Sequence, residues 1–95
     1  MRRMTYAVRW QENDGPPFAG GLLLDGAGLW LTGTSARRGL MFDDVAELSL
    51  ERGGQPSLVL VTREGDRLAI ASLQGLGALH EVADRVAAGR SKVAV

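Results

Sequence analysis

The first stretch of the chain alternates between polar and apolar residues. TYAVRW places large apolar side chains on one side of the chain, namely Tyr6, Val8 and Trp10. The small Ala7 and the charged Arg9 lie on the other side. A period of two is typical of a half-buried β-strand. QENDGPP then ends the pattern, because Asn-Asp-Gly and two prolines favour turns over a strand ladder.

The stretch GGLLLDGAGLWLTG, residues 20–33, contains two apolar runs on either side of Asp25–Gly28. Its Gly-Ala-Gly raises two possibilities, a phosphate-binding loop or the turn of a β-hairpin. A dinucleotide fingerprint needs a third glycine three residues after Gly28, where the chain has Leu31, and then a helix. The Gly-Lys-Ser/Thr of a P-loop is also absent. The stretch therefore predicts a hairpin whose leucines face a core.

A second β-rich region follows the polar connection TSARRG. LMFDDVAELSLER resumes the strand pattern, with Val45, Leu48 and Leu50 as the expected inward residues. The three-residue step from 45 to 48 breaks the alternation, which predicts a bulge or bend near 44–47, with a short helix as the alternative. SLVLVT and RLAIAS then predict a hairpin across REGD.

The period changes to that of a helix in the last third of the chain. Apolar residues recur at steps of three, four and three, at Leu76, Leu79, Ala83 and Val86. This spacing predicts an amphipathic helix. Ser72 is the expected N-cap, and Gly89 the expected end.

These elements predict a mainly β fold with one C-terminal helix. The expected architecture is a small bent antiparallel barrel of six or seven strands, capped by the helix. Six strands are identified directly, and a seventh would lie around 41–44 or be missing. We expect residues 1–4 to be a flexible N-terminus, residues 5–90 a single domain, and residues 91–95 a loose tail.

The amino-acid composition argues against several classes of function. The chain has 95 residues with 11 basic and 11 acidic side chains, and this zero net charge argues against nucleic-acid binding, which favours a basic excess. The absence of cysteine excludes disulfides and thiolate sites. No signal-peptide or membrane-spanning apolar segment follows the first residues. We expect a soluble, cytoplasmic protein.

Three stretches together resemble the pleckstrin-homology-like superfamily, which includes GRAM and bacterial PH-like domains. GGLLLDGAGLWLTG is similar to the second and third strands of that family, and MFDDVAELSL looks like its fourth. LVLVTREGDRLAIAS followed by GLGALHEVADRVAAG is similar to the last hairpin and capping helix. The resemblance covers most of residues 5–90 and implies a bent seven-stranded barrel closed at one end by the helix.

The resemblance also implies where a lipid would bind, but the residues of this sequence at that position do not suit a lipid headgroup. Phosphoinositide-binding members carry basic residues in the first hairpin, but the corresponding QENDGPP has two acidic residues and no basic one. Acidic side chains there would repel a phosphorylated headgroup. The residues that would form a weaker anion-binding site are Arg9, Arg37 and Arg38. The simpler interpretation is that these arginines only keep the surface solvated.

Trp30 is the residue with the strongest implication for binding. If Leu29 and Leu31 face the core, alternation turns Trp30 outward, where a large aromatic ring suits a partner unless another segment covers it. Val59 and Val61 also face away from the core and would extend the patch if they lay beside Trp30.

Catalytic and metal sites are not predicted. His80 is the one histidine of the chain and has no further His or Cys ligand. Asp43 and Asp44 are adjacent, so a strand would point them to opposite faces. We therefore expect no enzyme, cofactor or metal, but an interaction module that binds a protein partner or a second copy. Weak binding to an anionic lipid headgroup or membrane surface is the alternative.

Overall fold

A computed structural model describes residues 4–52 and 54–93, with side chains described as far as residue 90. This part of the chain contains one C-terminal helix, α1 (Leu76–Val93), and a short 3-10 helix, Phe42–Asp44. It also contains seven strands: β1 (Met4–Glu12), β2 (Phe18–Leu24), β3 (Gly28–Thr32), β4 (Arg37–Met41), β5 (Val45–Glu51), β6 (Ser57–Thr62) and β7 (Arg67–Ser72). The predicted fold class, mainly β with one C-terminal helix, is confirmed.

The strands form one antiparallel sheet in the order β4-β3-β2-β1-β7-β6-β5. The sheet curls into a half-barrel. Its concave face carries the buried apolar side chains of the strands, and α1 packs against this face through Leu79, Val82 and Val86. Because the sheet does not close, β4 and β5 remain as its two edges.

The Gly-Ala-Gly stretch forms the predicted hairpin turn. The Asp25 carboxylate accepts hydrogen bonds from the backbone N–H groups of Ala27 at 2.7 Å and Gly28 at 3.2 Å. Leu24 of β2 pairs with Leu29 of β3 on the two sides of this turn, and both residues are buried. An aspartate that holds the turn and leucines that face inward specify this hairpin without any bound phosphate.

The seventh strand lies outside the predicted position. It is β4, Arg37–Met41, and residues 42–44 form the 3-10 helix instead. TSARRG was therefore wrongly predicted as a wholly polar connection, since its two arginines belong to a strand. The strand was hidden because Leu40 is its one buried side chain and Gly39 gives no side-chain signal.

The bulge in the following strand is confirmed. The register between β5 and β6 shifts between Val45 and Glu47. This shift lets Val45, Leu48 and Leu50 all face inward: Val45 is buried, and the two leucines pack partly buried against the core.

The helix differs from its prediction at both ends. It begins at Leu76, and the Ser72 hydroxyl accepts a hydrogen bond from the N–H of Gln74 in the preceding turn rather than capping the helix. Leu76 is 46% exposed, so it lies outside the buried stripe. Gly89 does not end the helix, which continues to Val93, so the predicted loose tail is wrong for residues 91–93. No helix among the described residues is both long enough and apolar enough to cross a membrane.

Candidate functional site

Trp30 lies on the outer, convex face of the sheet. Its strand neighbours Leu29 and Leu31 are fully buried beneath it, as the alternation predicts. Trp30 pairs with Leu23 of β2 on one side and with Gly39 of β4 on the other. Its indole leans over the glycine: a Cβ at position 39 would lie 3.1 Å from Nε1 and 3.2 Å from Cδ1 of the ring. Any larger residue at this position would therefore displace the ring.

The two tryptophans differ in how their N–H groups are satisfied. Trp10 is buried in the core, and its Nε1 donates a hydrogen bond to the carbonyl of Thr32 at 3.0 Å. Trp30 is half-buried, and none of the described residues accepts a hydrogen bond from its indole. A buried tryptophan N–H needs a partner, whereas an exposed one can be satisfied by water or by a bound molecule.

Apolar side chains surround Trp30 on the outer face. Leu23 is half-buried beside it, and Met41, two residues along β4 from Gly39, is 44% exposed. Alternation places both on the same face as the indole. We call these four residues the outer patch: Leu23, Trp30, Gly39 and Met41.

The outer patch borders the free edge of β4. Hydrogen bonds join Gly33 N–H to the Ala36 carbonyl and Phe42 N–H to the Ala27 carbonyl at the two ends of the β3–β4 ladder. Bonded and non-bonded pairs alternate in an antiparallel ladder, so the pairs that contain residues 37, 39 and 41 are non-bonded. The backbone N–H and C=O groups of these three residues consequently point away from β3 into solvent.

The other edge, β5, is better protected. Its bulge interrupts the row of backbone groups, and Arg90 of α1 donates a hydrogen bond to the Ala46 carbonyl at 2.9 Å. Glu47 and Glu51 expose charges along the same strand. Bulges, charges and covering segments are the devices by which proteins block edge-to-edge pairing. Among the described residues, the edge of β4 has no bulge and no covering segment. Its charges are Arg37 on the outer face and Arg38 on the concave side, where carboxylates pair with it.

The structure does not bring Val59 and Val61 to the outer patch. They lie on β6, and three strands separate β6 from β3, a distance of about 19 Å even on a flat sheet. Val59 faces outward as predicted but is 4% exposed, so it offers a partner almost no surface. Val61 is half-buried.

The three predicted anion-binding arginines do not converge either. Arg38 points to the concave side, where its Nε lies 3.3 Å from Oε2 of Glu12 and its Nη2 lies 3.5 Å from Oδ2 of Asp66. Arg37 and Arg9 are exposed on the outer face, with β2 and β3 between their strands. Two carboxylates therefore already neutralise the most enclosed of the three guanidinium groups.

A depression of about 490 Å³ lies between the β1–β2 and β3–β4 loops. Trp10 and Phe18 contribute its apolar part, while Glu12 and Arg37 contribute opposite charges. With Arg38 paired beside it, this opening carries no excess of positive charge. It has little attraction for a phosphorylated headgroup.

Titratable groups elsewhere are dispersed. His80 is half-buried on α1, and Asp43 and Asp44 are exposed in the 3-10 helix. Among the described residues, no group of three histidine, aspartate or glutamate side chains is arranged to hold a metal ion. Tyr6 has a perturbed acidity: burial raises its pKa above the usual 10.0, and the hydrogen bond that its hydroxyl donates to Glu81 at 2.8 Å raises it further.

Sequence reasoning missed Gly39 and Met41 as members of the site. Gly39 lies in TSARRG, which was predicted as a connection. Met41 lies in the following stretch, LMFDDVAELSLER, in which only Val45, Leu48 and Leu50 were assigned to a face. Gly39 carries a signal only in retrospect, because a glycine opposite an outward tryptophan leaves room for the ring.

Comparison with known proteins bears on the fold alone. No protein-family model matches the chain, and no curated protein matches it. Among solved structures, the chain is similar to the C-terminal domain of an unknown protein from Leishmania infantum, with a TM-score of 0.73 and 13% sequence identity. The similarity covers 87% of this chain and 81% of that one. At this identity, the shared feature is the curled sheet with its C-terminal helix.

Proposed function

We propose that the protein is a non-catalytic interaction module that binds another polypeptide through the outer patch and the adjacent edge of β4. The observation that carries the proposal is the position of Trp30, which is half-buried and lies over Gly39 beside a row of unpaired backbone groups. An aromatic anchor next to an open strand edge can supply both apolar contact and main-chain hydrogen bonds.

We further propose that the fold is of the pleckstrin-homology-like type. The seven strands and the single helix agree with what the resemblance implies for architecture. A fold by itself does not select a ligand. The selection rests on the site.

Binding to an anionic headgroup is the weaker proposal. It would need positive charge that is free to meet phosphate, and the contacts of Arg38 with Glu12 and Asp66 remove much of it. Arg9 and Arg37 remain exposed but lie on strands that are not adjacent. The protein-binding proposal does not require these arginines to be unpaired or to lie close together.

A photo-crosslinking amino acid at position 41 tests the proposal in lysate of the source organism. Met41 belongs to the outer patch and lies on the free edge strand, so we expect covalent adducts to a protein. Trp30→Ala in the same background should lower their yield several-fold, because the anchor is lost. Circular dichroism shows whether that variant is still folded.

Leu73 provides the matched control position. It is 54% exposed and lies in the turn after β7, away from β3 and β4. Crosslinker at position 73 should give few adducts, and Trp30→Ala should not change them. Equal adducts from positions 41 and 73, or adducts from position 41 that survive Trp30→Ala, would refute the proposed surface.

A further inference from the structure

We propose that the polypeptide bound by the β4 edge is a second copy of this chain. In this arrangement, β4 of one copy pairs with β4 of the other in antiparallel orientation, with Gly39 opposite Gly39 across a two-fold axis. The inference deepens the proposed function and rests on it. It joins the two half-barrels through one continuous sheet.

The hydrogen-bonding groups at the edge suit this symmetry. Residues 37, 39 and 41 all direct their N–H and C=O groups outward, and Gly39 is the middle residue of the three. With glycine opposite glycine, residue 37 of each copy faces residue 41 of the other. Every outward group then has a partner, which gives about six hydrogen bonds in an antiparallel ladder. A shift of two residues would leave outward groups of both strands unpaired.

The side chains of the outer patch also suit it. Gly39 leaves the space above the edge strand to the Trp30 indole. With the two glycines side by side, no side chain of β4 would lie between the Trp30 indoles of the two copies. The rings could then approach each other over the paired strands, and aromatic pairs add stabilisation beyond their buried area.

Charge favours this register rather than opposing it. Arg37 is the charged residue on the outer face of β4. The two-fold axis separates the two copies of Arg37 and places each beside Met41 of the other chain, so like charges do not meet across the strands. The chain as a whole has zero formal net charge, so long-range repulsion between copies is absent.

The contact is small. Two five-residue strands and a pair of indoles bury less than the roughly 1,200 Å² that characterises stable protein interfaces. We therefore expect a weak, concentration-dependent dimer.

Sedimentation velocity over a wide range of protein concentration tests the dimer, and charge substitutions at position 41 test its register. Met41→Glu places a carboxylate beside Arg37 of the other copy, whereas Met41→Lys places a like charge there. Two such pairs form in each dimer, so we expect the glutamate variant to dimerise about tenfold more tightly than the lysine variant. Loss of apolar contact alone would weaken both variants equally.

Two controls isolate the edge. Leu73→Glu and Leu73→Lys make the same changes in net charge at an exposed position outside β4, and both should dimerise like the wild type. Met41→Pro removes an N–H that faces solvent in the single chain, so the chain should fold while dimerisation falls at least tenfold. Met41→Ala keeps that N–H and should dimerise more tightly than the proline variant.

The outcomes separate this inference from the proposed function. A wild-type chain that stays monomeric at every concentration, or equal dimerisation by Met41→Glu and Met41→Lys, overturns the β4–β4 dimer. If position 41 then still crosslinks to another protein in a Trp30-dependent manner, the proposed function stands with a different partner. A dimer that is about tenfold tighter in Met41→Glu than in Met41→Lys, and at least tenfold weaker in Met41→Pro than in the wild type, supports both.

Discussion

Gly89 of α1 packs directly against the ring of Phe42, the first residue of the 3-10 helix. A Cβ at position 89 would fall within 2.6 Å of Cε2 of that ring, which is closer than real side-chain carbons approach. The glycine lets the helix lie close to the segment that joins the two edges of the sheet. It is a packing residue inside a helix rather than the residue that ends it.

Replacement of this glycine by alanine should destabilise the fold despite the higher helix propensity of alanine. Overpacking of a close contact costs about 1–3 kcal/mol, which exceeds the roughly 1 kcal/mol gained from propensity. Gly77→Ala is the matched control, since nothing lies within 4 Å of a Cβ there and alanine again has the higher helix propensity. Urea unfolding should show a loss for Gly89→Ala and a gain for Gly77→Ala. Equal gains for both would contradict the close packing.

Tyr6 should make stability decrease at alkaline pH. Burial first, and then the hydrogen bond to Glu81, raise its pKa above 10.0 in the folded chain. The neutral hydroxyl therefore stabilises the fold fully below about pH 10, and this contribution is lost as the pH rises through the folded-state pKa. Tyr6 is the one tyrosine of the chain, so phenolate absorbance reports on it alone.

The titration midpoint should lie above that of the urea-unfolded chain. In Glu81→Gln it should move towards the unfolded value, because the negative charge beside the hydroxyl is removed. A midpoint equal to that of the unfolded chain would show that the Tyr6 hydroxyl is not buried as the structure places it.

The ion pair between Arg38 and Glu12 should contribute modestly to stability. Both side chains are about one-third exposed, so a double-mutant cycle with Arg38→Met and Glu12→Gln should give a coupling of about 0.5–1 kcal/mol at low salt. Molar salt should reduce this coupling. A coupling of zero at low salt would mean that the two groups do not interact in solution.

Removal of the carboxylates around Arg38 should increase the affinity of the chain for anionic membranes. Glu12→Gln/Asp66→Asn frees the Arg38 guanidinium, and we expect this variant to co-sediment several-fold better with phosphatidylserine-containing vesicles. Glu47→Gln/Asp84→Asn makes the same change in net charge at exposed sites outside these ion pairs. Equal binding by the two double variants would exclude Arg38 as an anion site.

The strands with strong alternation were predictable, as was the existence of the helix. Leu22, Leu24, Leu29 and Leu31 place every second residue in the core, and no other structure buries that pattern as well. The bulge in β5 was predictable for the same reason, since a break in alternation between inward residues needs an extra residue.

The strand β4 and the end of α1 were not predictable. One buried leucine among arginines and a glycine gives too weak a period to identify a strand, and the strand forms because it pairs with β3. Gly89 is a typical helix-ending residue by local propensity. Its contact with Phe42, 47 residues earlier in the chain, outweighs that local tendency.

By itself, the sequence determined the local features of this protein: the hairpin turn at Asp25, the inward leucines, the outward Trp30 and the amphipathic helix. These depend on side-chain period and turn chemistry, which act over a few residues. Tertiary structure decided which outward residues share a surface, because strand order places Gly39 and Met41 near Trp30 and puts Val59 four strands away. It also decided that Arg38 meets Glu12 and Asp66, since contacts between distant parts of a chain depend on how the sheet curls and not on the local pattern.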